Sequence, residues 1–587
     1  MKVLLLSLFT SLAYASSVSS HCRCRPHQSC WPSPEEWNSL NSSVNGNLAA
    51  VRPVAAVCHN GGAQSEACQA VQALWTNSTW RASQPGAVQY ENWEAWPEHN
   101  QTCHIENPFN QPCGQGRISL YSTVATSASD IQNTVRFATK HNLRLAIKNS
   151  GHCFLGRSTA PESLQILTNG MKDIDIVDDF TPKGAPSGRA GEPAVTIAAG
   201  VSLQELYSAL GEKQKLVVAG ASHTVGAAGG YIQGGGHSFL GPWKGMASDN
   251  ALQFTVVTAD GELVVANKYQ NPDLFWALRG GGGGTFGVVV DVTLRTFDDV
   301  PVITGSLNIS APSGSPNFWE AITQFHAHLP ALNDAGGAGY YFIYPQLPWT
   351  GNTTISAFTV ALFFPNQTNV AKVDQAFAPL LRSLNSTTGV ETQYIALPLP
   401  NINTLISDVL LPGDADETGT ITLVGSRLFS RDLLVSKHGP RRLVSTLRSL
   451  LQAGKVATGH IVAGGSVAKN GRDIDSALNP AWREAATHIT IGAGWGPNAS
   501  LAEQEAIRKN LTDVEVERLR SVEGADKMGA YLNEANAYEK DFQSSFWGSN
   551  YPRLYAIKQK WDPEGLFITR SGVGSENWDA EGLCRDH

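Results

Sequence analysis

Between residues 118 and 297 the chain alternates strand-like and helix-like patterns of hydrophobic positions. The stretch RISLYSTVA has the pattern of a strand, and LRLAIK predicts a second one. Between them, TSASDIQNTVRFATKHN places Ile131 and Val135 on one helical face, with Ser127 or Ser129 as the N-cap. A strand, a helix and a strand that runs into a glycine turn are typical of an α/β unit.

The same alternation continues downstream. AVTIAAG and VSLQELYSALGEKQ predict another strand and helix, and ALQFTVVTADGELVVAN predicts a hairpin that turns at Asp260 and Gly261. Beyond residue 300, strands such as YYFIYPQ and ISAFTVALFF are mixed with helices, which indicates a second domain. Near the C-terminus the pattern predicts a loop followed by a closing helix.

Composition narrows the class of protein. The 587 residues are 42% hydrophobic and 16% charged, with a net charge of −8. Such a chain has no basic face to neutralise phosphates, so we expect no nucleic-acid partner. After the N-terminus no stretch approaches the roughly 18 uninterrupted apolar residues of a membrane span, so we expect no membrane anchor.

Three features predict secretion. MKVLLLSLFTSLAYA has the form of a signal peptide, with cleavage after Ala15 or as late as residue 20. Seven of the nine cysteines lie between Cys22 and Cys113, where an oxidising compartment favours disulfides over a metal site. The sequence leaves their pairing open. The nine predicted N-glycosylation sites are Asn41, Asn77, Asn100, Asn308, Asn352, Asn366, Asn385, Asn498 and Asn510.

Three glycine-rich turns lie in the α/β region, at residues 149–158, 220–236 and 280–287. We call them the first, second and third glycine turns. Their backbone N–H groups can hold phosphates, because glycine lets a ligand approach the main chain closely. None matches a dinucleotide or P-loop fingerprint, and no serine-hydrolase or metalloprotease motif is present. The turns favour a phosphorylated cofactor, and no metal site is predicted.

Four motifs together carry a family resemblance. They are KNSGHCFLGRST, AGASHTVGAAGGYIQGGGHSFLG with the hairpin after it, DLFWALRGGGGGTFGVV, and WGSNYPRLYAIKQKWDPEGLF near the end. In this order and spacing they resemble the vanillyl-alcohol-oxidase-type flavoproteins, most closely the berberine-bridge-enzyme-like branch. The leader CRCRPHQSCWPSPEEWNSLNSSVNGNL resembles secreted fungal members, including those called isoamyl alcohol oxidases.

The resemblance implies an α+β fold: a PCMH-type FAD-binding domain of two α/β subdomains, and a substrate domain with an antiparallel sheet covered by helices. The implied boundaries follow in order along the chain. They are a signal peptide at 1–15, a cysteine-rich extension at 16–115, the FAD-binding domain at 116–297, the substrate-binding domain at 298–505, and a berberine-bridge-like segment at 506–587 that returns to the FAD domain.

The resemblance also implies a covalent cofactor. In the family, the histidine of the S-G-H turn is bonded to the 8α-methyl of FAD, and His152 stands at that position. Many members form a second covalent bond, from a cysteine to C6 of the flavin. This chain has Ser222 at the position of that cysteine. Because serine does not form that bond, we expect a single link through His152. We expect Cys153, one residue further along the turn, to be a free buried thiol.

Further residues are implied to lie around FAD. The first turn would supply Asn149, Ser150 and Gly151 to the pyrophosphate, and the other positions would flank the flavin ring, the phosphates or the adenine. The complete predicted set around the cofactor is His152, Lys148, Asn149, Ser150, Gly151, Cys153, Ser222, His223, Thr224, Val225, Gly226, Gly229, Gly230, Gly287, Val289, Val290, Asn533 and Asn550.

The implied reaction is hydride removal from a small organic substrate, such as an alcohol, with O2 as the acceptor and H2O2 as a product. The predicted catalytic residues are Tyr531, whose pKa we expect to fall near the flavin, and His237. Dehydrogenation or oxidative ring closure of an alkaloid or polyketide stays open as an alternative, as does a flavin-free binding protein on the same fold. We expect a secreted monomer.

Overall fold

The computed structural model describes residues 22–59, 61–107, 109–351, 353–524 and 526–585. The predicted signal peptide and the sequon at Asn352 lie outside these ranges. None of the helices within them is both long enough and apolar enough to cross a bilayer.

A four-stranded sheet opens the α/β region. Two of its three pairings are parallel, as expected where strands are joined through a helix. The third pairing is antiparallel and adds an edge strand from the N-terminal extension. In spatial order the strands are Leu48–Ala50, Tyr121–Val124, Ser163–Leu167 and Arg144–Lys148.

The predicted helix between the first strands covers Ala128–Lys140. Ser127 is its N-cap: the Ser127 hydroxyl accepts from the backbone N–H of Asp130, and the Asp130 carboxylate accepts from the backbone N–H of Ser127. This reciprocal pair satisfies two N–H groups that helix geometry leaves without partners. Ile131 and Val135 are fully buried against the sheet, as their spacing predicts.

A five-stranded antiparallel sheet follows. The hairpin predicted at Asp260 and Gly261 is confirmed, and Gly261 has the positive φ, +78°, that such a turn demands. In spatial order the strands are Ile174–Phe180, Glu192–Ala198, Val288–Arg295, Ala251–Val257 and Leu263–Asn267. Phe297–Asp298 and Lys215–Leu216 form a separate two-stranded ribbon.

A seven-stranded antiparallel sheet is built entirely from residues 302–493, inside the range predicted for the substrate domain. His460 and His488 stand directly opposite each other on neighbouring strands, so both side chains lie on one face. In spatial order the strands are Glu391–Leu399, Val302–Pro312, Thr354–Pro365, Ala338–Pro348, Ala457–Ile461, Ala485–Ala493 and Leu423–Ser430. The exact domain boundaries stay a prediction.

The remaining elements are helices and short helical turns around these sheets. The helices are Pro34–Ser43, Glu66–Leu74, Ser78–Ser83, Leu203–Gly211, Gly241–Lys244, Pro272–Leu278, Pro316–Asp334, Val370–Asn385, Ile402–Leu405, Arg431–Val435, Gly439–Leu450, Gly465–Asn470, Ala481–Glu484, Leu501–Lys509, Glu517–Ser521, Phe542–Trp547 and Tyr551–Trp561. The short turns are Val54–Cys58, Glu91–Trp93, Pro97–His99, Ala227–Tyr231, Ala247–Asn250, Ile406–Leu410, Gln452–Gly454, Asn510–Val516, Gly548–Asn550 and Ser575–Asn577.

Four disulfides connect all the cysteines except Cys153, which confirms the prediction of a disulfide-stapled extension. The pairs are Cys22–Cys584, Cys24–Cys30, Cys58–Cys68 and Cys103–Cys113. Cys22–Cys584 spans 562 residues and joins the start of the described chain to its end.

The eight predicted glycosylation asparagines within the described residues are exposed or partly exposed. Asn41 and Asn77 are the partly exposed pair. Acceptor positions on the surface are what N-glycosylation requires, and the modification itself stays a prediction.

We predict that the double substitution Cys22→Ser/Cys584→Ser destabilises the protein by about 2–5 kcal/mol, because this crosslink restricts the unfolded chain over its longest loop. The change should appear as a lower Tm in differential scanning calorimetry. The control is Cys24→Ser/Cys30→Ser, which opens a loop of only 6 residues and should lower Tm less. An equal or larger decrease of Tm in the control would contradict the argument from loop length.

Candidate active site

The three glycine turns meet around one cavity of about 390 Å³, within the size range of small-molecule sites. All three turns therefore contribute to one site. From the turns, the cavity is lined by Asn149, Ser150, Gly151, His152, Cys153, Phe154, Arg157, Ser158, Ala221, Ser222, Val225, Gly226, Gly230, Tyr231, Gly283 and Gly284.

The first glycine turn begins where the strand Arg144–Lys148 ends. Gly151 has φ +83°, a conformation that side chains disfavour, and a Cβ there would lie 3.1 Å from Lys148 Cε. Glycine therefore lets the chain reverse sharply, and the reversal places His152 in the cavity wall.

His152 is held by the second glycine turn. Its Nε2 lies 2.7 Å from Thr224 Oγ1, and 4.0 Å from the Asp416 carboxylate beyond it. Burial lowers the pKa of His152 to about 4, although Asp416 acts in the opposite direction. The imidazole is therefore neutral at physiological pH and keeps a nitrogen lone pair.

Asp416 belongs to the segment LPGDADETG, which the sequence analysis did not single out. Its carboxylate accepts hydrogen bonds from Ser222 Oγ at 2.7 Å, from the His223 backbone N–H at 3.1 Å and from Thr224 Oγ1 at 3.3 Å. Burial acts to raise the pKa of Asp416, but its hydrogen bonds with His223 and Ser222 outweigh burial and lower it. An ionised carboxylate thus organises the turn where the family's cysteine link would be.

The residues present fit a nucleotide cofactor. A Cβ at Gly230 would meet no atom within 4 Å, so it would project into the open cavity. Asn149 Oδ1 is buried without a hydrogen-bond partner in the described structure, as expected where a ligand supplies one. Glycine backbone and an unpaired amide oxygen therefore surround a space suited to phosphates and a flat ring.

Several predicted cofactor residues do not line this cavity. Lys148 is fully buried and donates from Nζ to the carbonyl oxygens of Arg81, at 2.9 Å, and Gln84. Asn550 donates to the carbonyl oxygen of Leu478 at 2.9 Å. Both contacts support the surrounding backbone.

The other predicted positions are near neighbours of the cavity or part of the adjoining sheet. Gly229 packs against Asn149, where a Cβ would lie 3.1 Å from Nδ2. Gly287 directly precedes the strand Val288–Arg295, and Val289 and Val290 are buried within that strand. Their cofactor roles stay predictions.

Tyr531 lines one end of the cavity with only 2% of its surface exposed. Its phenol oxygen accepts a hydrogen bond of 2.8 Å from Asn533 Nδ2, which also lines the cavity. Burial raises the pKa of Tyr531 well above its usual value, and the Glu534 charge adds to the rise. Desolvation penalises the phenolate in the protein alone, and the expectation that the flavin lowers this pKa stays a prediction.

His237 lies behind Tyr531 with the two rings edge to face at 5.1 Å. Its Nε2 is 3.0 Å from Oε1 of Glu534, which lines the cavity. His460 and His488 complete this group, and burial lowers the pKa of both. No local sequence pattern assigns a role to these two histidines, because only the pairing of their strands shows that they share a face.

Comparisons with known proteins agree with this site. A model of the FAD binding domain matches residues 121–267, and a model described as berberine and berberine like matches residues 530–574. An uncharacterized FAD-linked oxidoreductase of Arthroderma benhamiae is 50% identical over 579 residues, which cover 98% of each chain.

Solved structures show the same fold. The VAO-type flavoprotein MtVAO615 of Myceliophthora thermophila is 32% identical, with a TM-score of 0.83 over 96% of this chain and 100% of its own. The glucooligosaccharide oxidase of Acremonium strictum, whose FAD is 6-S-cysteinyl and 8α-N1-histidyl, is 20% identical, with a TM-score of 0.62 over 82% of this chain and 95% of its own. The predicted α+β class with an antiparallel substrate-domain sheet is confirmed.

The match over nearly the whole chain, together with the glycine-lined cavity, shows that this protein belongs to the berberine-bridge-like FAD-linked oxidoreductases of the VAO type and binds FAD.

Proposed function

We propose that the protein is a secreted oxidase that removes a hydride from a C–H bond next to oxygen or nitrogen in a small organic molecule, such as an alcohol. The observation that carries this proposal is the position of His152 in the wall of the glycine-lined cavity. FAD held by the glycine turns would supply a two-electron acceptor for the hydride, with O2 as the final acceptor and H2O2 as the product.

We also propose that FAD is attached through His152 alone. The histidyl link named for the Acremonium enzyme has a counterpart here in His152, whereas the cysteinyl link has none, because residue 222 is serine. Thr224 and Asp416 support this role by orienting the imidazole from one side. Cys153 Sγ is already engaged by Arg157, whose backbone N–H and Nε lie 3.3 and 3.2 Å away.

Tyr531 is the proposed hydrogen-bonding partner of the substrate's O–H or N–H. It is the predicted catalytic side chain that lines the cavity, and the Asn533 amide fixes its oxygen. His237 lies behind it and supports the Tyr531 ring. The buried surroundings exclude water, which strengthens any hydrogen bond made there.

Secretion as a monomer completes the proposal. Four disulfides and exposed sequons are compatible with an oxidising compartment. An N-terminal stretch with the form of a signal peptide supplies a route into it.

His152→Ala should abolish covalent flavin, because it removes the proposed attachment nitrogen. The protein is denatured in acid, and the flavin absorbance and the mass of the peptide spanning residue 152 are measured. Cys153→Ala is the matched control and should keep the flavin on that peptide. Flavin retained in His152→Ala, or lost in Cys153→Ala, would place the link elsewhere.

Asp416→Asn should lower the fraction of covalently bound flavin severalfold, because the neutral amide no longer orients Thr224 and His152. The measured quantity is acid-stable flavin divided by total flavin. Glu417→Gln is the matched control, because it also replaces a cavity-lining carboxylate with an amide. The Glu417 side chain makes no hydrogen bond to the second glycine turn in the described structure, so this variant should keep the wild-type fraction. Equal fractions in Asp416→Asn and the wild type would remove Asp416 from this positioning role.

Tyr531→Phe should lower kcat by about 10²-fold or more, within the range typical of a lost acid–base partner, while covalent flavin is retained. A peroxide-coupled screen of alcohols and amines on the wild type first identifies the substrate. Tyr90→Phe is the control, since Tyr90 also lines the cavity but stacks on Phe154 at 4.3 Å. An unchanged kcat in Tyr531→Phe would exclude the phenol from the reaction.

A further inference from the structure

Four side chains from three parts of the chain converge behind the cavity. His460 and His488 project from one face of the seven-stranded sheet, His237 comes from the end of the second glycine turn, and Glu534 comes from the C-terminal segment. We call them the three-histidine cluster. His488 is fully buried, and His237 and His460 are 7% and 9% exposed.

The cluster is compact. One ligand atom from each residue can be chosen so that all four lie within 4.8 Å of one another. The Glu534 carboxylate is 3.0 Å from His237 Nε2, 3.5 Å from His488 Nδ1 and 3.9 Å from His460 Nε2. One carboxylate therefore faces a nitrogen of all three imidazoles.

Several polar atoms of the three-histidine cluster have no hydrogen-bond partner within the described protein. Both ring nitrogens of His488, Nδ1 of His237 and Oε2 of Glu534 are buried without a hydrogen-bond partner among the described residues. A buried polar atom without a partner costs about 1–3 kcal/mol, so several in one cluster require an explanation. A single proton shared between His237 and Glu534 would leave His488 unsatisfied.

We propose that the three-histidine cluster binds one divalent transition-metal ion of the Zn²⁺ type, with His237, His460, His488 and Glu534 as its four protein ligands. Three imidazoles and one carboxylate are a donor set that suits zinc and its neighbours in the first transition row. The metal site lies beside the proposed flavin site, and Glu534 belongs to the wall between them.

The geometry is close to that of a four-coordinate centre. Imidazoles bound tetrahedrally at about 2.0–2.1 Å have ring centres about 5 Å apart. The His237–His460 and His460–His488 ring centres are 5.2 and 5.1 Å apart, and His237–His488 is 6.2 Å. Side-chain adjustments of about 1 Å or less would bring the carboxylate to the same centre.

One ligand already has the support that metal-bound histidines usually have. His460 Nδ1 lies 3.1 Å from the carbonyl oxygen of His488. With the proton on Nδ1, the ring donates to this carbonyl, and the Nε2 lone pair points to Glu534 and the cluster centre.

The ion would join the sheet, the second glycine turn and the C-terminal segment at one point. Glu534 lines the cavity three residues after Tyr531, and the rings of His237 and His488 meet the Tyr531 ring edge to face at 5.1 and 6.0 Å. The metal would therefore hold the wall that carries Tyr531, with His237 acting as a ligand instead of a free base.

The test measures metal in the full-length glycoprotein, secreted from a eukaryotic host and purified without chelators. The protein is stripped with EDTA, reloaded with ZnCl2, dialysed, and analysed by inductively coupled plasma mass spectrometry. We expect about one Zn²⁺ per chain, together with a Zn²⁺-dependent rise in Tm. X-ray absorption spectroscopy at the zinc K-edge should show about three imidazole nitrogens and one oxygen bound to the zinc at roughly 2.0–2.1 Å.

The double variant His460→Gln/His488→Gln should retain less than a tenth of the wild-type zinc. His326→Gln is the matched control and should retain all of it. His326 is equally buried in the same sheet-and-helix region, but its nitrogens are engaged by the Ile322 carbonyl oxygen at 2.8 Å and by the Tyr341 hydroxyl at 3.0 Å.

Wild-type protein without bound zinc after loading, or a zinc spectrum without imidazole, would overturn the proposal even if the double variant fails to fold. Another divalent metal retained at one per chain, and lost in the double variant, would support the site. Visible absorbance of the same samples reports flavin separately, so a failure of the metal site and a failure of the flavin proposal give different results.

Discussion

The close approach of three backbone turns is the constraint on which the site depends. A Cβ at Gly283 would lie 2.7 Å from Gly230 Cα, and a Cβ at Gly226 would lie 1.9 Å from Asn149 Oδ1. A side chain at Gly283 would push the turns apart, because its neighbour is backbone. A side chain at Gly226 would displace the Asn149 amide, whose Nδ2 donates to the Ala199 carbonyl oxygen. Glycine at both positions therefore allows the close packing that forms the cavity.

The segment around Asp416, inside the range predicted for the substrate domain, also lines the site. Asp416 reaches the second glycine turn, and its ionised carboxylate is stabilised by the hydrogen bonds that order Ser222, His223 and Thr224. Its backbone N–H in turn donates to Ser78 Oγ at 2.9 Å, in the N-terminal extension. The extension thus supports the cofactor region through a chain of contacts, which gives it a structural role beyond its disulfides.

Much of the local structure follows from the sequence. The Ser127 cap, the alternating strands and the turn at Gly261 depend on residues a few positions apart, so a short pattern contains all the information needed. The motif around His152 works in the same way, because the glycine before it and the strand that precedes it determine where the histidine emerges. FAD binding follows from the family resemblance that four such motifs carry together, whereas the glycine turns alone indicate only a phosphorylated cofactor.

The tertiary structure alone decided how distant residues act together. The partner of Cys22 is 562 residues away, and Asp416 lies in a segment without a recognisable motif, so no local pattern could pair either with its contacts. The raised pKa of Tyr531 depends on complete burial, which a sequence does not report. The sequence by itself determined the elements and the glycine turns, and its family resemblance predicted the histidine for flavin attachment. Strand register alone brought His460 opposite His488, because register and burial arise from packing across the whole chain.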